Sequence, residues 1–188
     1  MTLPTLDDLG PRICIMRPSN SGKSTLAEAI GRTRNLPPVH LDRLHHRPDT
    51  DWEKRPDTEF EALHDAALAG PRWIMDGNYS RLLPQRLEHA TGLILLDAPT
   101  MTSLIRYVRR CWFDRGRIGG LPGGRDSVKW TMICHIAVTT RANRTRYEAL
   151  FGSIALPKIR LRTARDLDAF YRAEGLRRQP WSGPAKLP

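Results

Sequence analysis

Short apolar runs alternate with amphipathic segments along this chain of 188 residues. Five runs are predicted as strands, at 13–16, 36–42, 72–77, 93–97 and 158–161. Continuous apolar runs that alternate with helices are typical of buried parallel strands. The pattern therefore predicts an α/β domain whose parallel sheet has about five strands.

The amphipathic segments between these runs are predicted as helices. The first ends near Gly31, and the second begins at Asp57, which we expect to be its N-cap. Later helices are predicted over 80–90, from 100 onward, after 126, around 147–151, and from a Thr163 cap to about 170. The polar, proline-containing segment 43–56 is long for a connection, and we expect it to be a substrate loop.

A nearly complete phosphate-binding motif lies between the first strand and the first helix. It follows the pattern G-x-x-x-x-G-K-(S/T), in which exposed backbone amides and a helix N-terminus converge on a polyphosphate. Lys23 is expected to place its charge between the outer phosphates, and the Ser24 hydroxyl to ligate Mg²⁺. The residues predicted to bind the nucleotide phosphates are Ser19, Asn20, Ser21, Gly22, Lys23, Ser24 and Thr25.

Arg17 stands where this motif has its first glycine. A side chain at that turn needs both a permitted backbone conformation and free space beside the phosphates. The guanidinium either obstructs the phosphate site, which would weaken ATP binding, or adds a cation to it, which would strengthen ATP binding. We expect obstruction, so that Arg17→Gly tightens ATP binding.

Charged residues follow several of the predicted strands. Asp42, Asp76 and Asp97 end the second, third and fourth, and ligands of parallel sheets bind at this edge. Asp76, close to the phosphate loop, is expected to hold Mg²⁺ through water. His40, His45 and His46 lack metal-ligand spacing, and we assign no metal site to them.

Composition and charge favour one domain that contacts polyanions. Residues 1–99 hold 12 Lys and Arg against 14 Asp and Glu, whereas residues 100–188 hold 18 against 6, so the formal charge of +10 divides into −2 for the first half and +12 for the second. This half is expected to face nucleotide phosphates and to bind nucleic acid weakly. We predict one domain over 1–176, a mobile lid rich in Arg and Gly over 112–126, and a flexible tail over 177–188.

The remaining composition points to a reduced, soluble protein. The three cysteines, Cys14, Cys111 and Cys134, are odd in number and widely separated, which indicates neither disulfides nor a zinc site. Cys14 is expected in the core. No apolar run reaches transmembrane length, and Asp7 and Asp8 stand where a signal peptide is basic. The sequence therefore predicts a cytoplasmic protein with no membrane contact.

Taken in order, the phosphate loop, the Asp76-Gly77 pair and the arginine-rich lid resemble the adenylate-kinase-like P-loop kinases. Within these, the chain is most similar to the subgroup labelled DNA topology modulation proteins. The resemblance covers roughly residues 12–171 and implies a three-layer α/β P-loop NTPase fold, with helices on both faces of the sheet. It also implies ATP and Mg²⁺ as cofactors.

The resemblance assigns further roles residue by residue. The segment 76–85 matches the family's D-G-F-P-R-x-x-P-Q, with one insertion before the arginine, which implies that Arg81 and Gln85 hold the acceptor nucleotide. Arg106 and Arg110 match the spacing of two arginines that pack on the donor adenine and reach its phosphates. Asp42 departs from the family, because a threonine-glycine pair stands there in adenylate kinases. A carboxylate at this place suits a hydroxyl acceptor, which benefits from a base.

These observations favour an ATP- and Mg²⁺-dependent phosphotransferase acting on a nucleotide or small-molecule acceptor. Its catalytic residues are expected to be Lys23, Asp42, Arg106 and Arg110, its metal site Ser24 and Asp76, and its acceptor site Asp42, Asp76, Arg81 and Gln85. One alternative is a nucleotide-gated nucleic-acid-binding or regulatory protein, for which DNA binding depends steeply on salt. Another is a degenerate protein that binds ATP without turnover.

Overall fold

A computed structural model describes residues 4–16, 22–50, 52–97 and 140–178. Within these ranges five strands form one sheet in the order β2-β3-β1-β4-β5, with every neighbouring pair parallel. The strands are β1 (Arg12–Met16), β2 (Pro38–His40), β3 (Trp73–Asp76), β4 (Gly92–Leu96) and β5 (Lys158–Leu161). The predicted parallel five-stranded sheet is confirmed.

Helices connect the strands and cover both faces of the sheet. They are α1 (Leu6–Leu9), α2 (Lys23–Arg34), α3 (Leu41–His45), α4 (Asp57–Leu68), α5 (Leu83–His89), α6 (Thr140–Ser153) and α7 (Ala164–Ala173), with a 3₁₀ helix (Ser80–Leu82) before α5. Since parallel strands need crossover connections, this alternation of strands and helices is what places helices on two faces.

The side chains of β1 divide the core into two layers. Ile13 and Ile15 pack with Ile30 of α2 and Phe170 of α7, whereas Cys14 and Met16 belong to the opposite core. Successive side chains of a strand point to opposite faces, so a buried strand needs apolar residues at every position. The central strand meets that need, and Cys14 lies in the core as expected.

Several element boundaries differ from the sequence predictions. Helix α2 continues past Gly31 to Arg34 and ends at Asn35, which adopts a left-handed conformation at φ 51°. The predicted second strand over 36–42 is wrong at its end, because β2 stops at His40 and Asp42 lies in the first turn of α3. Asp57 is the first residue of α4 and not its cap, since Pro56 occupies that position.

The start of the last helix follows the prediction. Thr163 caps α7, accepting a hydrogen bond from the Asp166 amide at 3.0 Å while the Asp166 carboxylate accepts from the Thr163 amide at 3.0 Å. This reciprocal pair satisfies two backbone donors of the first turn. The cap was visible in the sequence because it depends on residues three apart.

Several predictions fall outside the described residues. They are the lid at 112–126, most of the tail at 177–188, and the site residues Arg17, Ser19, Asn20, Ser21, Arg106 and Arg110. In the part of the chain that the structure describes, every helix falls short of the length and apolarity that a membrane span requires.

Gly92 allows the chain before β1 to approach β4 closely. A Cβ atom built on Gly92 would lie 2.5 Å from both Cβ and the carbonyl oxygen of Leu9. We therefore expect Gly92→Ala to lower the free energy of unfolding by about 1–3 kcal/mol, as overpacking does in cores. Denaturant unfolding checks this value. Gly152→Ala is the matched control, because an added Cβ there meets nothing within 4 Å, and an equal loss in both variants would contradict the steric explanation.

Candidate active site

Three elements bring the candidate site together at the carboxyl edge of the sheet. In the register of the sheet, Asp76 at the end of β3 pairs with Ile15 of β1 on one side and with His40 of β2 on the other. Helix α2 begins at Lys23, directly after Gly22. The start of α2 and the ends of β2 and β3 therefore meet at one place.

Gly22 has the backbone that the phosphate motif requires. It stands at the N-cap of α2 in the left-handed region at φ 81°, and a Cβ built there would meet nothing within 4 Å. Glycine adopts this conformation without strain. A left-handed glycine at the start of α2 is consistent with close approach of a phosphate to backbone amides.

A short hydrogen bond joins Ser24 to Asp76. The Ser24 hydroxyl donates to Oδ2 of Asp76 at 2.6 Å. These residues are 52 positions apart in sequence, and both were expected to hold Mg²⁺ from their places in the pattern. The structure brings them into direct contact, so their oxygens can share one cation.

His40 binds the other oxygen of Asp76 and was missed as a functional residue. Its Nδ1 donates to Oδ1 of Asp76 at 2.8 Å, and its Nε2 donates to Oε1 of Glu28 at 3.1 Å. Burial opposes the charged imidazolium, but the hydrogen bonds to Asp76 and Glu28 outweigh burial and raise the pKa of His40 to about 9. His40 is therefore a cation held between two carboxylates.

Asp76 is ionised in this setting although it is 4% exposed. Burial opposes its ionisation, but hydrogen bonds from His40 and Ser24 and the charges of His40 and Lys23 together lower its pKa. At Glu28, the second carboxylate that His40 binds, the hydrogen bond from His40 outweighs burial and lowers the pKa. The four side chains Ser24, Asp76, His40 and Glu28 form one chain of hydrogen bonds that spans α2, β2 and β3.

Asp42 lies beyond this chain, in the first turn of α3. The hydroxyl of Tyr79 donates to Oδ1 of Asp42 at 2.8 Å, joining α3 to the loop after β3. Asp42 and Asp76 are thus both linked to the loop after β3, but Asp42 lies in α3 and not at the strand end where the sequence predicted it. Asp97, the other strand-end acid, instead accepts a hydrogen bond at 2.5 Å from Arg160 of β5.

A small cavity of about 210 Å³ opens beside Tyr79. The rings of His45, Phe60 and Tyr79 lie 4.8 to 5.0 Å apart in edge and tilted contacts. The lining residues are His45, Asp57, Phe60, Tyr79, Ser80, Arg81 and Leu82. Its walls therefore combine aromatic surface with a charged rim.

The two residues that the resemblance assigned to the acceptor have partners within the chain. Arg81 pairs with Glu61 at 2.7 Å and with Asp57 at 3.5 Å, and Gln85 donates to Asp65 at 2.8 Å. All three partners lie on α4. Arg81 lines the cavity, whereas Gln85 is absent from its lining.

Arg86, which the sequence analysis also missed, fixes the loop that carries Tyr79. It is 1% exposed and donates to the carbonyl oxygens of Gly77 at 2.9 Å, of Asn78 at 3.3 Å and of Tyr79 at 3.1 Å. Burial lowers the pKa of Arg86. A buried guanidinium with several carbonyl partners replaces the hydrogen bonds that a helix or strand would provide. No signal in the sequence distinguishes Arg86 from a surface arginine of α5.

The donor set fits a nucleotide with Mg²⁺. Mg²⁺ at phosphoryl-transfer sites takes one or two protein oxygens and completes its shell with water and phosphate oxygens. Ser24 and Asp76 supply oxygens of this kind. Among the described residues no group of three or more His, Cys, Asp and Glu is arranged as an all-protein metal site.

Comparisons with known proteins establish the fold. No family model and no curated protein sequence matches this chain. The fold is similar to that of a gluconokinase from Sinorhizobium meliloti 1021, with a TM-score of 0.55 and 16% identity over 88% of this chain and 90% of that one. It is also similar to the fold of a protein from Chloroflexus aurantiacus j-10-fl whose kinase assignment is provisional. The TM-score is 0.53, and the identity is 15% over 87% of this chain and 94% of that one. The chain therefore has the α/β fold of P-loop kinases.

His40 is the residue whose loss should disturb this site most. His40→Ala would leave the Asp76 and Glu28 carboxylates without the cation between them, and we expect it to lower the free energy of unfolding by about 3–5 kcal/mol. Denaturant unfolding at pH 7 measures the loss. His89→Ala is the matched control, because His89 is exposed and bonds only within its own helix among the contacts described. Similar losses in both variants would contradict the bridging role.

Proposed function

We propose that this protein is an ATP- and Mg²⁺-dependent phosphotransferase acting on a nucleotide or small-molecule acceptor. The observation that carries the proposal is the 2.6 Å hydrogen bond between Ser24 and Asp76. It joins the last residue of the phosphate motif to a strand-end acid, on a fold that kinases share. Phosphoryl transfer needs little from a protein beyond such positioning and charge.

Each described residue of the site has a distinct task in this proposal. Ser24 and Asp76 would hold Mg²⁺, directly or through water, and the bound ion would supply positive charge to the phosphates. Lys23 would stabilise the charge that develops on the transferring phosphoryl group. His40 keeps Asp76 ionised and fixes its orientation.

Asp42 is the proposed group for the acceptor. Its carboxylate would accept the proton of an acceptor hydroxyl, and the hydrogen bond from Tyr79 fixes the orientation of that carboxylate. A phosphate acceptor would need no such base, since it is already ionised. Arg106 and Arg110, from the resemblance, would contact the donor nucleotide.

The resemblance to adenylate-kinase-like enzymes, and to the topology modulation subgroup within them, remains part of this proposal. A cytoplasmic location and weak nucleic-acid binding belong to it as well. The direct contact between Ser24 and Asp76, both expected to hold Mg²⁺, favours the phosphotransferase over the nucleic-acid-binding alternative.

Lys23→Ala should abolish ATP-dependent turnover and leave the fold intact. Lys23 is the half-buried first residue of α2, and in this proposal it acts on charge in the transition state. An ADP-release assay with a panel of nucleoside monophosphates, nucleosides and small polyols measures turnover, and circular dichroism checks the fold. Lys54→Ala controls for the loss of one positive charge. Full activity of the Lys23 variant would contradict the kinase proposal.

Asp42→Asn should reduce turnover about a hundredfold or more if the acceptor is a hydroxyl, which is the range for removal of a general base. The substitution keeps the shape of the side chain and removes its basicity. Tyr79→Phe is the companion variant, because it removes the hydrogen bond to Asp42 and leaves the base in place; its loss should be smaller. A monophosphate substrate combined with a nearly neutral Asp42→Asn would show that the base is assigned wrongly.

A further inference from the structure

We infer that the acceptor is a compact, uncharged alcohol such as a sugar or polyol, and that the cavity beside Tyr79 selects against phosphorylated and carboxylated acceptors. This inference rests on the proposed function and narrows its acceptor class. It departs from the resemblance, under which Arg81 would bind the phosphate of a nucleotide acceptor.

The charged groups at the cavity disfavour an anionic acceptor. Arg81 is the cation among the described lining residues, and Glu61 and Asp57 of α4 already pair with it. Exposed ion pairs contribute little to stability, so a ligand can separate them. An anionic acceptor would nevertheless bring its charge next to both carboxylates, and like charges in one site cost binding energy.

The proposed base, Asp42, also disfavours an anionic acceptor. Tyr79 forms one wall of the cavity, and its hydroxyl donates to Asp42. Tyr79 therefore connects the cavity to the carboxylate that would deprotonate a hydroxyl. An acceptor with a dianionic phosphate would also face this third negative charge, whereas an alcohol would donate a hydrogen bond to it.

The polar and apolar atoms of the cavity wall suit an alcohol. In the described part of the chain, Nδ1 of His45 is buried without a hydrogen-bond partner, which is costly unless a ligand satisfies it. Burial, together with the charges of His46 and Lys54, outweighs the opposing charges of Asp42 and Asp57 and lowers the pKa of His45. The neutral ring can exchange a hydrogen bond with a hydroxyl. The Phe60 and Tyr79 rings offer apolar surface to the carbon-bearing face of a sugar.

The size of the cavity agrees with a compact acceptor. Its volume of about 210 Å³ lies below the roughly 300–1,000 Å³ of pockets for drug-sized ligands. A six-carbon polyol is small enough for such a space and offers several hydroxyls. The transferred group would pass from ATP to one hydroxyl oxygen, so that an O–P bond forms, the bond to the leaving ADP breaks, and Asp42 takes the hydroxyl proton.

Calorimetric binding to the full chain, with two matched pairs of probes, tests the inference without requiring turnover. The pairs are glucitol with gluconate and ribose with ribose 5-phosphate, which differ chiefly in charge. We expect each neutral probe to bind at least about tenfold more tightly than its anionic partner. Tighter binding of gluconate or ribose 5-phosphate, or no binding of either neutral probe, would overturn the inference.

The double variant Asp57→Asn/Glu61→Gln tests the cause. It frees Arg81 and removes two negative charges, so it should tighten binding of the anionic probes about tenfold or more and change the neutral probes less than about twofold. Glu59→Gln is the matched control on the same helix, because Glu59 pairs with Arg55 at 2.6 Å. Equal effects of the double variant and the control would overturn the charge explanation.

Turnover and ATP-binding measurements with the same probes distinguish failure of this inference from failure of the proposed function. ATP-dependent phosphorylation of an anionic probe, lost in Lys23→Ala, would refute the inference and leave the phosphotransferase proposal standing. Failure to bind ATP with Mg²⁺ would refute the phosphotransferase proposal, whatever the cavity prefers.

Discussion

The site of this protein depends on one buried arrangement of charge, in which a protonated histidine lies between two carboxylates. His40 donates to Asp76 and to Glu28, and Ser24 donates to the remaining oxygen of Asp76. A lone ionised aspartate at this depth would be strongly disfavoured, since burial opposes charge. Opposite charge and directed hydrogen bonds together keep Asp76 ionised. The arrangement also ties α2 to the ends of β2 and β3.

This arrangement links the proposed nucleotide side of the site to the proposed acceptor side. Glu28 and Ser24 belong to the helix that follows the phosphate motif, whereas His40 ends the strand that leads into α3 and Asp42. A second anchor, the buried Arg86, holds the carbonyls of the loop after Asp76 and so positions Tyr79. Tyr79 closes the connection by donating to Asp42. Two buried cations therefore order both sides of the proposed reaction centre.

The acceptor side illustrates how sequence similarity and local charge can disagree. The segment 76–85 resembles the acceptor segment of adenylate kinases, yet its arginine and glutamine pair with acids of α4. The wall of the cavity contains three rings and the Asp57 carboxylate, and its arginine is paired with acids. A shared fold with kinases does not fix the acceptor, because specificity depends on the side chains that line one cavity.

The sequence by itself determined the features that depend on neighbouring residues. Short segments with recurring apolar residues predicted the five strands, and Thr163 predicted a cap, because burial of a strand and capping of a helix are local patterns. The phosphate motif and the strand-end position of Asp76 were predictable for the same reason. The end of β2 at His40 was not predictable, because only the contacts of the folded chain distinguish the roles of His40 and Asp42.

Tertiary structure alone decided which polar residues act together. The partners of His40 lie 12 and 36 positions away, and the approach of Ser24 to Asp76 spans 52. Arg86 resembles any helix arginine until packing buries it, and Arg81 resembles an acceptor ligand until α4 places Glu61 beside it. Strands and caps are set by short-range sequence pattern, whereas ionisation and specificity are set by charges that only the folded chain brings within a few ångströms.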